Sequence, residues 1–203
     1  MKKIKVSVII PVYNQEELIV RAISSIPERN DIEVIVIDDG STDHTLDILK
    51  KYIDTIVLLT NKENKGVAYT VNKGYDNANG EYIVLLGSDD YFYTEAFEKA
   101  MDELDGTDFV FFQTTNNYGM VELNENNKCG SFKFMRKEFI KDFRNDEFRM
   151  AGEDYHLWNK MLKSNPSIKE IGLIVKHYNY PRTGSLMWEL NKGLIDLESG
   201  LRK

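Results

Sequence analysis

Through residue 105 the sequence alternates short β-branched runs with stretches of helical spacing, and this alternation limits the fold more than any other feature. Residues 6–10 (Val-Ser-Val-Ile-Ile) read as a buried strand stopped by Pro11. Asn14, with Glu17 three residues later, has the form of a capping box. Leu18, Ile19, Ala22, Ile23 and Ile26 follow at helical spacing. Residues 32–37 form a second strand, and Leu46, Leu49, Tyr52 and Ile53 a second helical stripe. A third strand over 55–59, a helix marked by Val67, Val71 and Tyr75, and a fourth strand over 82–86 complete the series. Thr94 is placed to cap a helix carrying Phe97, Ala100, Met101 and Leu104. Strands that are apolar throughout and separated by helices predict an α/β chain, Rossmann-like, with a mainly parallel sheet and helices on both faces.

The second half is less regular. Residues 109–112 read as a strand, 116–128 as a polar loop or hairpin, and Leu157, Trp158, Met161 and Leu162 as a helix ending before Pro166. Residues 171–176 form a last strand. Met187, Leu190, Leu194, Leu197 and Leu201 then step by three and four, the spacing of a short amphipathic helix. The expected organisation is one domain over 1–186 and a helical tail over 187–203 that packs on its own domain or against a second copy.

In an open parallel sheet, ligands bind beyond the carboxyl ends of the strands. Those ends carry Pro11-Val12-Tyr13-Asn14, Asp38-Asp39-Gly40-Ser41-Thr42-Asp43 and Gly87-Ser88-Asp89-Asp90. The first strand leads into no G-x-G-x-x-G turn, so the close pyrophosphate approach of dinucleotide domains is not encoded here. A carboxylate after the second strand suits nucleobase N–H or ribose hydroxyl groups, and two after the fourth suit a hard divalent cation on a diphosphate. Glu153-Asp154 opens a helix, where a carboxylate can act as general base. His177 to Ser185 brings together imidazole, phenols and the Arg182 guanidinium, groups that ligate metal and pair with phosphate. Taken singly, each has an ordinary explanation as a cap, a surface turn or a first-turn acid. His44 and His156 carry no such pattern.

With 26 basic against 33 acidic residues the net charge is −7, which argues against nucleic acid or an anionic membrane as the main partner. One cysteine, Cys129, allows no internal disulfide, and the apolar run near the N-terminus is too short for a signal core or a membrane span. The expected location is the cytoplasm, soluble or peripherally membrane-associated.

The order of the motifs is more specific than any one of them. Val6-Ser7-Val8-Ile9-Ile10-Pro11-Val12-Tyr13-Asn14 and Val36-Ile37-Asp38-Asp39-Gly40-Ser41-Thr42-Asp43 resemble the opening of the family 2 glycosyltransferases, inverting enzymes of GT-A fold. Asn64-Lys65-Gly66, Asn72-Lys73-Gly74, Gly80-Glu81-Tyr82-Ile83 with Ser88-Asp89-Asp90, Gly152-Glu153-Asp154, and Tyr178 to Arg182 with Ser185 continue the resemblance.

It implies transfer of a sugar, from a UDP-sugar in first expectation, to a hydroxyl of a glycan, lipid-linked or protein acceptor, with inversion. Pro11, Tyr13, Asp39, Lys65, Gly66, Asp89 and Arg182 would then bind the donor, and Asp154 would be the base. Asp89, Asp90 and His177 would hold Mn2+ or Mg2+. One departure is Gly87, where the family usually has an aspartate. Two alternatives stay open: a nucleotidyltransferase that makes nucleotide sugars, and a non-catalytic relic that binds nucleotide or glycan.

Overall fold

A computed structural model describes residues 3–121, 132–147 and 153–179. Arg182 and the proposed 187–203 tail lie outside the described residues. Strands β1 (Val6–Val12), β2 (Ile32–Asp38), β3 (Val57–Thr60) and β4 (Tyr82–Leu85) are parallel, in the order β3-β2-β1-β4. They are joined through α1 (Ile19–Ser24), α2 (Thr45–Leu49, prolonged by a 3-10 turn) and α3 (Val67–Asn77).

Side chains alternate across the sheet as strand geometry requires. Val6, Val8, Ile10 and Val12 join Ala22, Leu49, Phe97 and Met101 on one face. Ile9, Ile35 and Ile37 join Val71, Tyr75, Leu157 and Trp158 on the other. Both faces are covered, which is why these strands read as continuous apolar runs.

Two local expectations are corrected. Pro11 does not stop β1; it pairs in register with Ile37. Leu86 N–H donates to Ile9 O at 3.0 Å on the β4 side, and Asp39 N–H to Val12 O at 2.8 Å on the β2 side. Alternation therefore turns Pro11 toward β4, where pairing has already ended at Ile9–Leu85, so its missing N–H leaves no ladder bond unmade. Asn14 does not cap a helix either. It has φ of 51°, and α1 begins five residues later after Leu18, with no side-chain cap.

The second half adds β5 (Tyr91–Phe92), α4 (Thr94–Asp102), β6 (Phe109–Asn116) and β7 (Gly119–Val121). It continues with β8 (Lys133–Arg136), α5 (Lys137–Ile140), α6 (Glu153–Leu162) and β9 (Ile168–Tyr178). The sheet runs on as β4-β8-β6-β9-β5, with β7 hairpinned onto β6. β8 is antiparallel to both β4 and β6, β6 and β9 are parallel, and β5 runs antiparallel to β9. The sheet is thus mixed beyond β4. Thr94 is the first residue of α4 rather than its cap, and its hydroxyl donates to Ser25 O at 3.1 Å.

In the order β3-β2-β1-β4 the chain leaves β1 toward β2 and returns on the other side at β4. That reversal opens a crevice beyond the ends of β1 and β4, the position where such sheets bind ligands.

Candidate active site

The corner at the ends of β1 and β2 is fastened by side-chain bonds to backbone. Asn14 N–H donates to Ser41 Oγ at 3.0 Å, and Thr42 N–H to Asn14 Oδ1 at 2.8 Å. Gln15 N–H reaches Thr45 Oγ1 and His44 N–H reaches Glu16 Oε2, each at 2.8 Å. Asn14, read with Glu17 as a capping box, instead joins two loops.

Gly40 turns the chain at φ of 73°, and a Cβ there would stand 2.6 Å from the Glu63 backbone, so only glycine fits. Asp39, 4% exposed, is the hub of this corner. Its Oδ1 accepts from Asn61 Nδ2 at 2.7 Å and Lys65 N–H at 2.9 Å, and its Oδ2 from Gly66 N–H at 2.9 Å. Lys65 and Gly66 therefore meet Asp39 through their backbone, while the Lys65 ammonium pairs with Glu63 at 2.5 Å on the surface. Asp38, 1% exposed, takes Ser41 N–H on Oδ2 at 3.3 Å and leaves Oδ1 buried without a partner. Pro11 lies on the β1 edge of the crevice, and Tyr13 stands 42% exposed beside it.

At the end of β4, Asp90 N–H closes a turn on Gly87 O at 3.0 Å. Arg21 reaches across from α1, donating to the Asp89 carbonyl at 2.6 Å while its guanidinium lies 4.9 Å over the Tyr91 ring. Asp90 is 2% exposed and engaged at both oxygens. Lys176 Nζ pairs with Oδ2 at 2.8 Å, and Asn179 N–H donates to Oδ1 at 2.9 Å.

His177 is engaged likewise. Nδ1 meets Thr115 Oγ1 and Nε2 meets Asn117 Oδ1, both at 3.0 Å, and the ring stacks on Tyr91 at 4.8 Å. Burial pushes its pKa below the ordinary 6.5, against the raising effect of the Asp90 charge. Asp89, Asp90 and His177 are thus not assembled as a ligand set. No group of three or more His, Cys, Asp or Glu able to hold a metal occurs among the described residues.

Asp154 sits exposed in the first turn of α6, with Oδ1 on the Tyr155 N–H at 2.8 Å. It lines a cavity of about 170 Å³ together with Gly87, Lys133, Asn145, Trp158 and Lys176. Lys133 lies 5.6 Å over the Trp158 ring. Asn145 is fixed by α3, donating N–H to Asn72 Oδ1 at 2.9 Å. The structure brings Asp154 and the β4 end together, with the Asp39 corner on the other side of β1. Lys133, Asn145 and Lys176 were not anticipated. For Lys176 the sequence does carry a signal, a lysine directly after the apolar 173–175 run, and the structure leaves it 9% exposed.

Against known proteins, residues 7–158 match the family description "Glycosyl transferase family 2". The chain belongs to that family. A glucosyltransferase of Escherichia coli, named UDP-Glc:alpha-D-GlcNAc-diphosphoundecaprenol beta-1,3-glucosyltransferase WfaP, is 30% identical over 213 residues, covering 94% of this chain and 82% of WfaP. An uncharacterized glycosyltransferase of Rickettsia felis is 40% identical over 116 residues, which cover 55% of this chain but only 19% of that protein.

Among solved structures, S. aureus TarS 1–349 in complex with UDP-GlcNAc superposes with a TM-score of 0.75 at 26% identity, over 90% of this chain and 60% of that one. The likeness to TarS and to the family establishes the GT-A fold. The mannosyltransferase PcManGT of Pyrobaculum calidifontis, solved with GDP-Man and Mn2+, shares that fold at a TM-score of 0.71 and 20% identity. No helix among the described residues is long and apolar enough to cross a membrane.

Proposed function

We propose that this family 2 domain transfers a sugar from a nucleoside diphosphate sugar, a UDP-sugar in the first instance, to an acceptor hydroxyl with inversion. The observation that carries the reading is Asp154 in one cavity with Gly87 at the end of β4. The acceptor oxygen attacks the anomeric carbon from the face opposite the diphosphate while its proton passes to the Asp154 carboxylate. The anomeric C–O bond breaks, and the diphosphate leaves with the electron pair. One in-line displacement inverts the centre and needs no protein nucleophile.

Pro11, Tyr13 and Asp39, with the backbone of Lys65 and Gly66, receive the nucleoside. Arg182, outside the described residues, is the proposed guanidinium partner of the diphosphate. The names of WfaP and of the TarS complex support a UDP-sugar donor, and WfaP's name supports a lipid-linked hydroxyl acceptor. A glycan or protein hydroxyl is the other acceptor class.

Family transferases commonly use a divalent cation, which stabilises the departing diphosphate. Asp89 is the residue that would hold it, with phosphate oxygens and water completing the shell. Asp90 and His177 are committed to other partners and are withdrawn as direct ligands.

The test combines a thermal-shift panel of nucleotide sugars, with and without manganese, and the Asp154→Asn variant. The variant should lose about 10²–10⁴-fold in transfer rate while calorimetric UDP affinity stays at the wild-type value. Full turnover in Asp154→Asn removes Asp154 from the mechanism.

A further inference from the structure

A buried ion pair is a poor device for stability, because taking both charges out of water costs about what their attraction returns. Lys176 and Asp90 form one, at 2.8 Å, with side chains 11% and 3% exposed. It is not sealed in the core. Lys176 comes from β9, between β6 and β5, with its ammonium 5.3 Å over the Tyr178 ring, and it lines the cavity that holds Asp154 and Gly87. An ammonium carries three N–H donors. Among the described residues, Asp90 Oδ2 is the only acceptor that Lys176 Nζ meets, which leaves two of its N–H donors without an acceptor among them.

Gly87 is part of the same arrangement. A Cβ added there would stand 2.9 Å from Asp90 Oδ2, the oxygen that receives Lys176, and 3.1 Å from Asp89 Oδ1. A side chain at 87 would therefore press on the ion pair and fill the space beside it. A carboxylate there would also offer Lys176 a second anion and draw its charge away from the cavity. With glycine at 87 and Asp90 anchored by the Asn179 N–H, the lysine faces the opening at the end of β4.

We propose that Lys176 is a binding residue for the diphosphate, its ammonium contacting phosphate oxygens and supplying positive charge that Asp89 alone cannot recruit through a metal. The proposal rests on the nucleotide-sugar reading above, and it assigns to a lysine on β9 a task that the acids after β4 are too few to perform. The charge-assisted contact forms with or without a divalent cation. The domain should accordingly keep measurable nucleotide diphosphate affinity in the absence of metal.

Calorimetry in EDTA tests this with UDP and GDP, each paired with its nucleoside, uridine or guanosine. Lys176→Met alone leaves a buried carboxylate unpaired, so the informative variant is Lys176→Met/Asp90→Asn, which removes both charges. Its affinity for the preferred diphosphate should fall about tenfold or more, one charge-assisted contact, with nucleoside affinity unchanged. Lys176→Arg, which keeps a cation, should stay near wild type, and Gly87→Asp should weaken diphosphate binding in EDTA. Unchanged diphosphate affinity in the double variant overturns the role of Lys176 while leaving the transferase reading intact. Equal losses for diphosphate and nucleoside overturn it too, by showing a distorted site. Wild-type protein that binds neither diphosphate overturns both the proposal and the reading beneath it.

Discussion

Replacing Asp39 by asparagine keeps the shape of the side chain and removes its charge, so it isolates the hydrogen bonds that hold the β2 corner. The carboxylate accepts three: Asn61 Nδ2 and Lys65 N–H on Oδ1, and Gly66 N–H on Oδ2. An asparagine can place its oxygen to keep the first two, now as weaker neutral bonds. Its amide nitrogen then faces the Gly66 N–H, donor against donor. Gly66 has a second acceptor in Asn64 Oδ1 at 3.0 Å, so that N–H is not stranded entirely. The net loss is one charge-assisted bond and part of two others, offset by the relief of uncharging a group that is 4% exposed. At about 1.5–3 kcal/mol for a bond to a charged group, the destabilisation should be about 2–3 kcal/mol.

For a chain of this length each kcal/mol corresponds to about 2–4 °C, so Tm should fall by roughly 4–12 °C. The assay is thermal unfolding followed by circular dichroism, with UDP calorimetry on the same preparations. Gly66 immediately precedes α3, so a loosened corner also misplaces the backbone proposed to meet the nucleoside, and UDP affinity should weaken in parallel. An Asp39→Asn protein with unchanged Tm would refute the hub. A lowered Tm with wild-type UDP affinity would keep the hub and remove Asp39 from the donor site.

Two further substitutions probe the packing and the aromatic patch. Gly74→Ala gains about 1 kcal/mol of helix propensity. Its Cβ, however, would stand 2.5 Å from Ile9 Cγ2 and 3.2 Å from Ile37 Cδ1, and overpacking of that kind costs about 1–3 kcal/mol. The urea midpoint should therefore drop, and an unchanged midpoint would mean α3 does not sit tightly on β1 and β2. His177 has its folded pKa lowered below 6.5 by burial, so its neutral form is favoured in the native state. Its contribution is complete above the unfolded pKa and is lost as pH falls below it. Tm should decline from pH ~7.5 to ~5 more steeply in wild type than in His177→Gln, and parallel profiles would refute the assignment.

The part of the fold legible in the sequence is the part where a single strand carries its own signal. β1, β2 and β4 are covered on both faces, so each is mostly apolar, Ser7 in β1 and Glu33 and Asp38 in β2 being the exceptions. β5, with two residues, and β8, with four, are too short to show any period. They exist because β9, β4 and β6 offer them edges, which is tertiary information. The 116–128 stretch reads as a loop or hairpin; a hairpin joins Phe109–Asn116 to Gly119–Val121, and residues 122–128 lie outside the described residues.

The same division runs through the site. That acids would stand at the ends of β2 and β4 and at the start of α6 followed from local pattern. Which of those acids is already neutralised did not, because Asp90 meets a lysine 86 residues downstream and His177 meets Thr115 on β6 and Asn117 in the turn after it. A carboxylate's chemistry is set by its partner as much as by its own identity. Two aspartates adjacent in the sequence can therefore differ in function: Asp90 is held in an ion pair, and Asp89, on a backbone held by Arg21, is the one proposed to face a cation.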